Sequence, residues 1–148
     1  MKYISKSEKD TIELGKIIAS KLYKGLIILL TGDLGTGKTK FTEGVLTYFN
    51  KQNEISSPTF MLVNEYNTPN LNIYHFDVYR LNDSDEFISI GGEEYFEKGA
   101  CIIEWGEEII DIIPKDYVHI IFSKDDENSN RRNIEINCYG NTKNFLNI

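Results

Sequence analysis

The stretch LIILLTGDLGTGKTKF breaks an apolar run with three glycines, a lysine and a threonine. Gly32, Gly37, Lys38 and Thr39 match G-x-x-x-x-G-K-[ST], the phosphate-binding loop pattern, and Gly35 adds a further glycine. Because glycine lacks a Cβ atom, such a loop can curl around an oxyanion with its N–H groups pointing inward. In this pattern the lysine reaches the β- and γ-phosphates and the threonine hydroxyl binds Mg²⁺. The pattern therefore predicts a nucleoside-triphosphate site.

The flanking sequence fits this prediction. The segment LIILL is short, apolar and bounded by turn residues, which indicates a buried strand. In the segment KTKFTEGVLTYF, Phe41, Val45 and Phe49 lie four apart and so share one helical face. The start of that helix supplies free N–H groups and the positive end of a dipole. This context favours a phosphate-binding loop over a chance glycine-rich turn.

Hydrolysis of a nucleotide also needs an acid to hold Mg²⁺ and a group to position a water molecule. Two acids end apolar strands: Glu104 follows ACII, and Asp77 follows IYHF. Carboxylates are seldom buried without a partner or a metal. The alternative is that each acid lies at an exposed strand end or pairs with Lys38 or Arg80.

Three further residues, Thr59, His75 and Trp105, could belong to the same site, but each also has an ordinary structural interpretation. Thr59 in SSPTF follows a proline and could meet Mg²⁺ or the γ-phosphate as switch loops do, although Ser-Pro-Thr is also ordinary turn chemistry. His75 lies two residues before Asp77 and so on the same strand face, where a packed, hydrogen-bonded side chain is expected. Trp105 is expected to be half-buried near the nucleotide.

Composition narrows the class of protein. The chain has 148 residues with 41% hydrophobic content, which predicts one globular domain spanning 1–148. The net charge of −7 disfavours tight, unaided binding to nucleic acid. The segment GLIILL is too short to cross a bilayer and MKYISKSEKD is polar, so we expect no membrane association and a cytoplasmic location. Cys101 and Cys138 are expected to be reduced thiols in strands.

The order of elements indicates the fold class. The segment SKSEKDTIELGKIIASKLY predicts the first helix, with Ser5 or Ser7 as its N-cap. ISSPTFMLVNEY, which begins with a Ser-Ser-Pro turn, and LNIYHFDVY predict a hairpin. ACIIEW predicts a buried strand, and YVHIIFS and RNIEINCYG predict a closing strand pair. We therefore predict an α/β fold: a three-layer sandwich of the P-loop NTPase type, with a mixed parallel and antiparallel sheet and flanking helices.

Four motifs together resemble one family. GDLGTGKT, SPTF, HFDVYRL and EWGE occur in the order and approximate spacing of the bacterial TsaE (YjeE) proteins, over about residues 5–136. That resemblance implies a small P-loop ATPase required for the threonylcarbamoyladenosine modification of tRNA at position 37. It implies binding of ATP or ADP with Mg²⁺, slow hydrolysis alone, and action with the TsaD–TsaB heterodimer, through which tRNA is reached. The departures are mild: Val78 replaces the commoner leucine and Thr36 the commoner alanine.

The resemblance also implies residue roles. Lys38, Asp77 and Glu104 would be catalytic, and Thr39 and Glu104 would be the magnesium ligands. Thr59 would belong to the switch-like loop. The remaining nucleotide contacts would come from the phosphate-binding loop, the start of the first helix and the region before the last strand: Asp33, Leu34, Gly35, Thr36, Gly37, Lys40, Glu8, Thr11, Asn130 and Arg131.

Two other functions share a phosphate-binding loop. A small-molecule or nucleoside kinase usually needs an arginine-rich lid, and this chain has only Arg80, Arg131 and Arg132. A nucleotide-dependent switch would need no useful hydrolysis, and Glu104→Gln separates it from an ATPase. An arginine at the γ-phosphate raises hydrolysis rates by about 10³–10⁵. If Arg80 does not reach the γ-phosphate, slow turnover and dependence on a partner follow.

Overall fold

The computed structural model describes residues 1–54, 63–79, 81 and 83–146. It contains three α-helices: α1 (Glu8–Ala19), α2 (Lys38–Tyr48) and α3 (Ser84–Ser89). The strands are β1 (Lys2–Ser5), β2 (Ile27–Thr31), β3 (Val63–Asn67), β4 (Asn72–Asp77), β5 (Ala100–Glu104), β6 (Tyr117–Lys124) and β7 (Arg132–Tyr139). Short 3₁₀ segments span Gln52–Glu54, Gly92–Glu97, Gly106–Ile112 and Gly140–Thr142.

The strands form one seven-stranded sheet in the order β1-β7-β6-β2-β5-β4-β3. β6, β2, β5 and β4 are parallel, whereas β3, β7 and β1 join the sheet antiparallel. The predicted mixed α/β sheet is therefore confirmed. The predicted β3–β4 hairpin and the β6–β7 pair are also confirmed.

Two apolar layers cover the sheet. One face packs on α1 and α2 through Leu14, Ile18, Phe41 and Val45, which are almost fully buried. The other face packs on α3 and the 3₁₀ segments that follow, with Phe87 as the buried residue of α3. The central strands β2 and β5 are buried on both sides, which explains their continuous apolar sequences.

The structure confirms one of the two predicted N-caps of α1 and shows a strand that was not predicted. Ser7, not Ser5, caps α1: its hydroxyl accepts a hydrogen bond from the backbone N–H of Asp10 at 3.2 Å. Ser5 instead ends β1, an edge strand that the sequence did not predict. Its buried hydroxyl lies 2.6 Å from the hydroxyl of Thr11. A four-residue edge strand is too short to show a periodic apolar pattern.

Two glycines allow α1 and α2 to approach each other closely. A Cβ atom on Gly44 would lie 2.0 Å from the Ile12 carbonyl oxygen, and one on Gly15 would lie 2.2 Å from the Phe41 carbonyl oxygen. Because both obstacles are backbone atoms, no side-chain rotation could relieve either clash. The position of α2, which begins at Lys38, therefore depends on these two glycines.

Both cysteines are free, as expected: Cys101 is buried in β5 and Cys138 is half-buried in β7. Among the described residues, no helix has both the length and the apolar character needed to cross a bilayer.

Candidate nucleotide-binding site

The loop between β2 and α2 has the backbone shape that its glycines permit. Gly32 has φ 146° and Gly37 has φ 112°, both in the left-handed region that favours glycine. A Cβ atom on Gly32 would also lie 2.6 Å from the carbonyl oxygen of Phe122. Thr36 is buried, and its hydroxyl donates to the Asp33 carbonyl at 2.7 Å. The loop is thus braced from within and against β6.

A cavity of about 630 Å³ opens beside this loop. Its walls come from the residues before and at the start of α1, the phosphate-binding loop, the end of β5 and the turn before β7. The lining residues are Lys6, Ser7, Glu8, Lys9, Thr11, Leu34, Gly35, Gly37, Lys38, Thr39, Lys40, Glu104, Asn130 and Arg132. The lysines and arginine give the cavity a basic wall, although the whole chain is acidic.

Lys38 is almost fully buried at the inner end of the cavity. Its ammonium group donates to the Gly32 carbonyl at 2.6 Å and lies 4.4 Å from the centre of the Trp105 ring. Trp105 in turn contacts the exposed ring of Tyr79, with ring centres 4.9 Å apart. The lysine is therefore held by a carbonyl dipole and a π face. Neither group neutralises its charge, so that charge remains available to an anion.

Glu104 and Asp77 lie side by side where β5 and β4 end. The two residues are register partners in the parallel pair, so their side chains point to the same face of the sheet. His75 lies two residues earlier on that face. Its Nε2 atom is 2.7 Å from Oε2 of Glu104. Glu104 therefore has a histidine partner, and no ion pair joins it to Lys38 among the described residues, which do not include Arg80.

Asp77 does not line the cavity, although Glu104 does. Its Oδ1 atom accepts a hydrogen bond from the backbone N–H of Tyr79 at 3.0 Å. This bond fixes the turn that follows β4 and brings Tyr79 towards Trp105. The structure thus places Asp77 on the strand next to Glu104, outside the set of residues that line the cavity.

The start of α1 contributes the residues predicted there. Thr11 is buried, and its hydroxyl lies against the hydroxyl of Ser5. Glu8 is exposed, and its Oε2 atom is 3.8 Å from the Lys40 ammonium group, which also contacts Glu43 at 3.3 Å. Glu8, Thr11 and Lys40 all line the cavity, as do the loop residues Leu34, Gly35 and Gly37. Asp33 and Thr36 support the loop through their mutual hydrogen bond but do not line the cavity.

The turn before β7 contributes Asn130, and the first residue of β7 contributes Arg132. The Arg132 guanidinium donates to the Gly35 carbonyl at 3.1 Å and to the Ser129 carbonyl at 2.6 Å. It therefore ties this turn to the phosphate-binding loop. Arg131, the arginine that the family resemblance implies, does not line the cavity and lies 4.0 Å from an Asp125 carboxylate oxygen. The Arg131-Arg132 pair in the sequence indicates a basic group near the site. Which of the two arginines faces the phosphate-binding loop depends on the register of β7.

Thr59 and Arg80 lie outside the described residues, and so does the whole SPTF motif. Within the described ranges, no group of three or more His, Cys, Asp or Glu side chains could hold a metal ion. Magnesium bound with a nucleotide needs only one or two protein ligands, because phosphate oxygens and water complete its shell. The exposed Thr39 hydroxyl and the Glu104 carboxylate, both lining one cavity with Lys38, fit that requirement.

Comparison with known proteins identifies the family of this chain. The model of the family described as "Threonylcarbamoyl adenosine biosynthesis protein TsaE" matches residues 5–134. Curated relatives with the name tRNA threonylcarbamoyladenosine biosynthesis protein TsaE include those of Rickettsia typhi and Bacillus subtilis. The first is 44% identical, over 70% of this chain and 72% of its own length. The second is 34% identical, over 99% of this chain and 90% of its own length.

A solved structure supports the same grouping. The crystal structure of Bacillus subtilis YdiB has a TM-score of 0.80 and 30% identity, covering 99% of this chain and 90% of that one. Sequence and fold therefore agree, and the chain belongs to the TsaE family.

Proposed function

We propose that this chain is a magnesium-dependent ATPase that acts in threonylcarbamoyladenosine modification of tRNA. The observation that carries the proposal is the meeting of Lys38, Thr39 and Glu104 in one cavity beside a glycine-braced loop. The pathway is supported by the names of the relatives, which refer to tRNA threonylcarbamoyladenosine biosynthesis. The cavity, at about 630 Å³, lies within the usual range for a small-ligand site.

In this proposal, the chain binds ATP by its phosphates. The backbone N–H groups between Gly35 and Thr39 donate to the β- and γ-phosphate oxygens, aided by the N-terminal end of α2. Lys38 exchanges the Gly32 carbonyl for a phosphate oxygen, which forms a stronger, charge-assisted hydrogen bond. Thr39 and Glu104 would hold magnesium, which neutralises phosphate charge when bound.

Hydrolysis then requires a water molecule to attack the γ-phosphorus while the bond to the bridging oxygen of ADP breaks. Positioning and charge stabilisation limit that step. Asp77 is assigned as an active-site acid: it shares a sheet face with Glu104 and braces the turn at Tyr79. Among the described residues, Arg132 lines the cavity but is engaged with backbone carbonyls. Slow hydrolysis by the chain alone follows if neither Arg132 nor Arg80, which lies outside the described residues, reaches the γ-phosphate.

The proposed partner is the TsaD–TsaB heterodimer, with tRNA reached through that complex and the reaction placed in the cytoplasm. Docking would complete the site and raise the rate. ATP turnover measured with and without the heterodimer tests this: stimulation is expected, and equal rates would refute partner dependence. Glu104→Gln should still bind ATP but lose turnover. If this variant supports tRNA modification as well as the parent does, the chain is a binding switch and not an ATPase.

A further inference from the structure

Among the described residues, the His75 side chain makes one hydrogen bond. Its side chain is 5% exposed, and its Nε2 atom lies 2.7 Å from Oε2 of Glu104. Its other ring nitrogen, Nδ1, is buried without a hydrogen-bond partner in the described ranges. A carboxylate oxygen only accepts hydrogen bonds, so Nε2 donates. The contact with Glu104 is therefore the one hydrogen bond that the ring makes within the described residues.

The sheet register makes this contact specific. His75 pairs with Ile102, and Asp77 pairs with Glu104, in the parallel β4–β5 ladder. The two side chains are thus diagonal neighbours on the face that α1 and α2 cover. His75 does not line the cavity, whereas Glu104 does. The histidine therefore lies behind the carboxylate, on the side away from a bound ligand.

A carboxylate at the end of a strand can rotate about its side-chain torsions. Holding one oxygen by a buried donor restricts that rotation and leaves the other oxygen for the cavity. Partners of this kind orient metal ligands, and their loss typically costs 10–100-fold in metal affinity. Burial strengthens the restriction, because the Glu104 side chain is only 13% exposed and has little water to replace the donor.

We propose that His75 is a positioning residue: its Nε2–H orients the Glu104 carboxylate for magnesium in the nucleotide complex. This inference rests on the proposed function, since it concerns the same site. His75 contacts neither nucleotide nor metal in it. Its effect is expected on the magnesium dependence of nucleotide binding and not on nucleotide binding as such.

The test compares His75→Met with His75→Gln. The two replacement side chains have similar length and volume, but only glutamine carries a donor. Isothermal titration calorimetry with ADP is carried out in EDTA and at a series of magnesium concentrations. It gives the magnesium midpoint, the concentration at which the increase in ADP affinity is half-maximal. His75→Met should raise that concentration 10–100-fold, with ADP affinity in EDTA unchanged. His75→Gln should stay within a few-fold of the parent.

Two controls separate positioning from loss of structure. Ile102→Val alters packing at the same level of the sheet and should leave the magnesium midpoint unchanged. In a Glu104→Ala background, His75→Met should add no further shift. If His75→Met does not fold, His75→Asn takes its place, because its shorter side chain withdraws the donor from Glu104.

The outcomes are distinct. A parent-like magnesium midpoint in His75→Met overturns the inference while the proposed function stands. Equal losses of ADP affinity in EDTA for the methionine and glutamine variants also overturn it, because they indicate a structural role. A parent protein that binds no nucleotide overturns the proposed function and this inference with it.

Discussion

The close approach of α1 and α2 leads to a quantitative prediction for Gly44→Ala. The added Cβ atom would lie 2.0 Å from the Ile12 carbonyl oxygen, whereas carbon–oxygen contacts normally begin at about 3.3 Å. The helices must therefore separate by roughly the difference, about 1.3 Å, at this crossing. Because the obstacle is backbone, the cost falls at the upper end of the range for overpacking, about 3 kcal/mol.

Alanine's better helix propensity offsets about 1 kcal/mol of that cost. The expected net loss in unfolding free energy is about 2 kcal/mol, or roughly 4–8 °C in melting temperature for a chain of this size. Since α2 begins at Lys38, the shift also displaces the phosphate-binding residues. A misplacement of about 1 Å can cost 10²-fold in rate, so ATP turnover should fall by up to that factor.

Urea denaturation and steady-state ATP turnover of Gly44→Ala measure both effects. Thr47→Ala is the matched control on the same helix. Its hydroxyl bonds only to the Glu43 carbonyl of its own helix among the contacts described, at 2.7 Å. The control should change stability by no more than about 0.5 kcal/mol and leave turnover unchanged. An unfolding free energy for Gly44→Ala at or above that of the parent would refute the reasoning about helix contact.

Two further predictions concern titratable groups. Burial lowers the pKa of His119 below 6.5, against the opposing effect of the Glu107 and Glu135 carboxylates. As the pH falls, the unfolded chain therefore protonates this histidine before the folded chain does, so the free energy of unfolding decreases below about pH 6.5. Between neutral pH and acidic pH, the urea midpoint should fall less in His119→Gln than in the parent. Burial raises the pKa of Cys101 to about 12, so its thiol stays protonated at neutral pH. Mass spectrometry after iodoacetamide treatment should find native protein labelled at Cys138 alone and denatured protein at both cysteines; rapid native labelling of Cys101 contradicts its burial.

Local features of the fold could be predicted from sequence, because their signals lie within a few residues. The phosphate-binding loop combines glycine spacing with an apolar strand before it and a four-residue apolar repeat after it. The β3–β4 and β6–β7 pairs show short β-rich runs separated by turn residues. β1 could not be predicted, because a four-residue edge strand with exposed Lys2 and Ile4 and buried Ser5 carries no apolar periodicity. The sheet order depends on long-range packing and has no local signal.

The candidate site divides in the same way. Lys38, Thr39 and Glu104 could be placed from motifs and strand ends, and the structure brings them to one cavity. The contact between His75 and Glu104 joins residues 29 apart, and it exists only because β4 and β5 pair in one register. The choice of Arg132 over its neighbour depends in turn on the pairing of β7 with β6.

Direct measurement of magnesium–ADP and magnesium–ATP binding to Lys38→Ala by isothermal titration calorimetry tests the central claim, with Lys16→Ala as the control. Lys16 lies in α1 with a partly exposed side chain, and its Nζ atom is 2.8 Å from Oε1 of Glu13. It does not line the cavity. Loss of charge-assisted hydrogen bonds worth about 1.5–3 kcal/mol predicts roughly 10- to 150-fold weaker binding in Lys38→Ala, with parent-like binding in the control. Absence of nucleotide binding by the parent, or equal affinity in Lys38→Ala, contradicts the account.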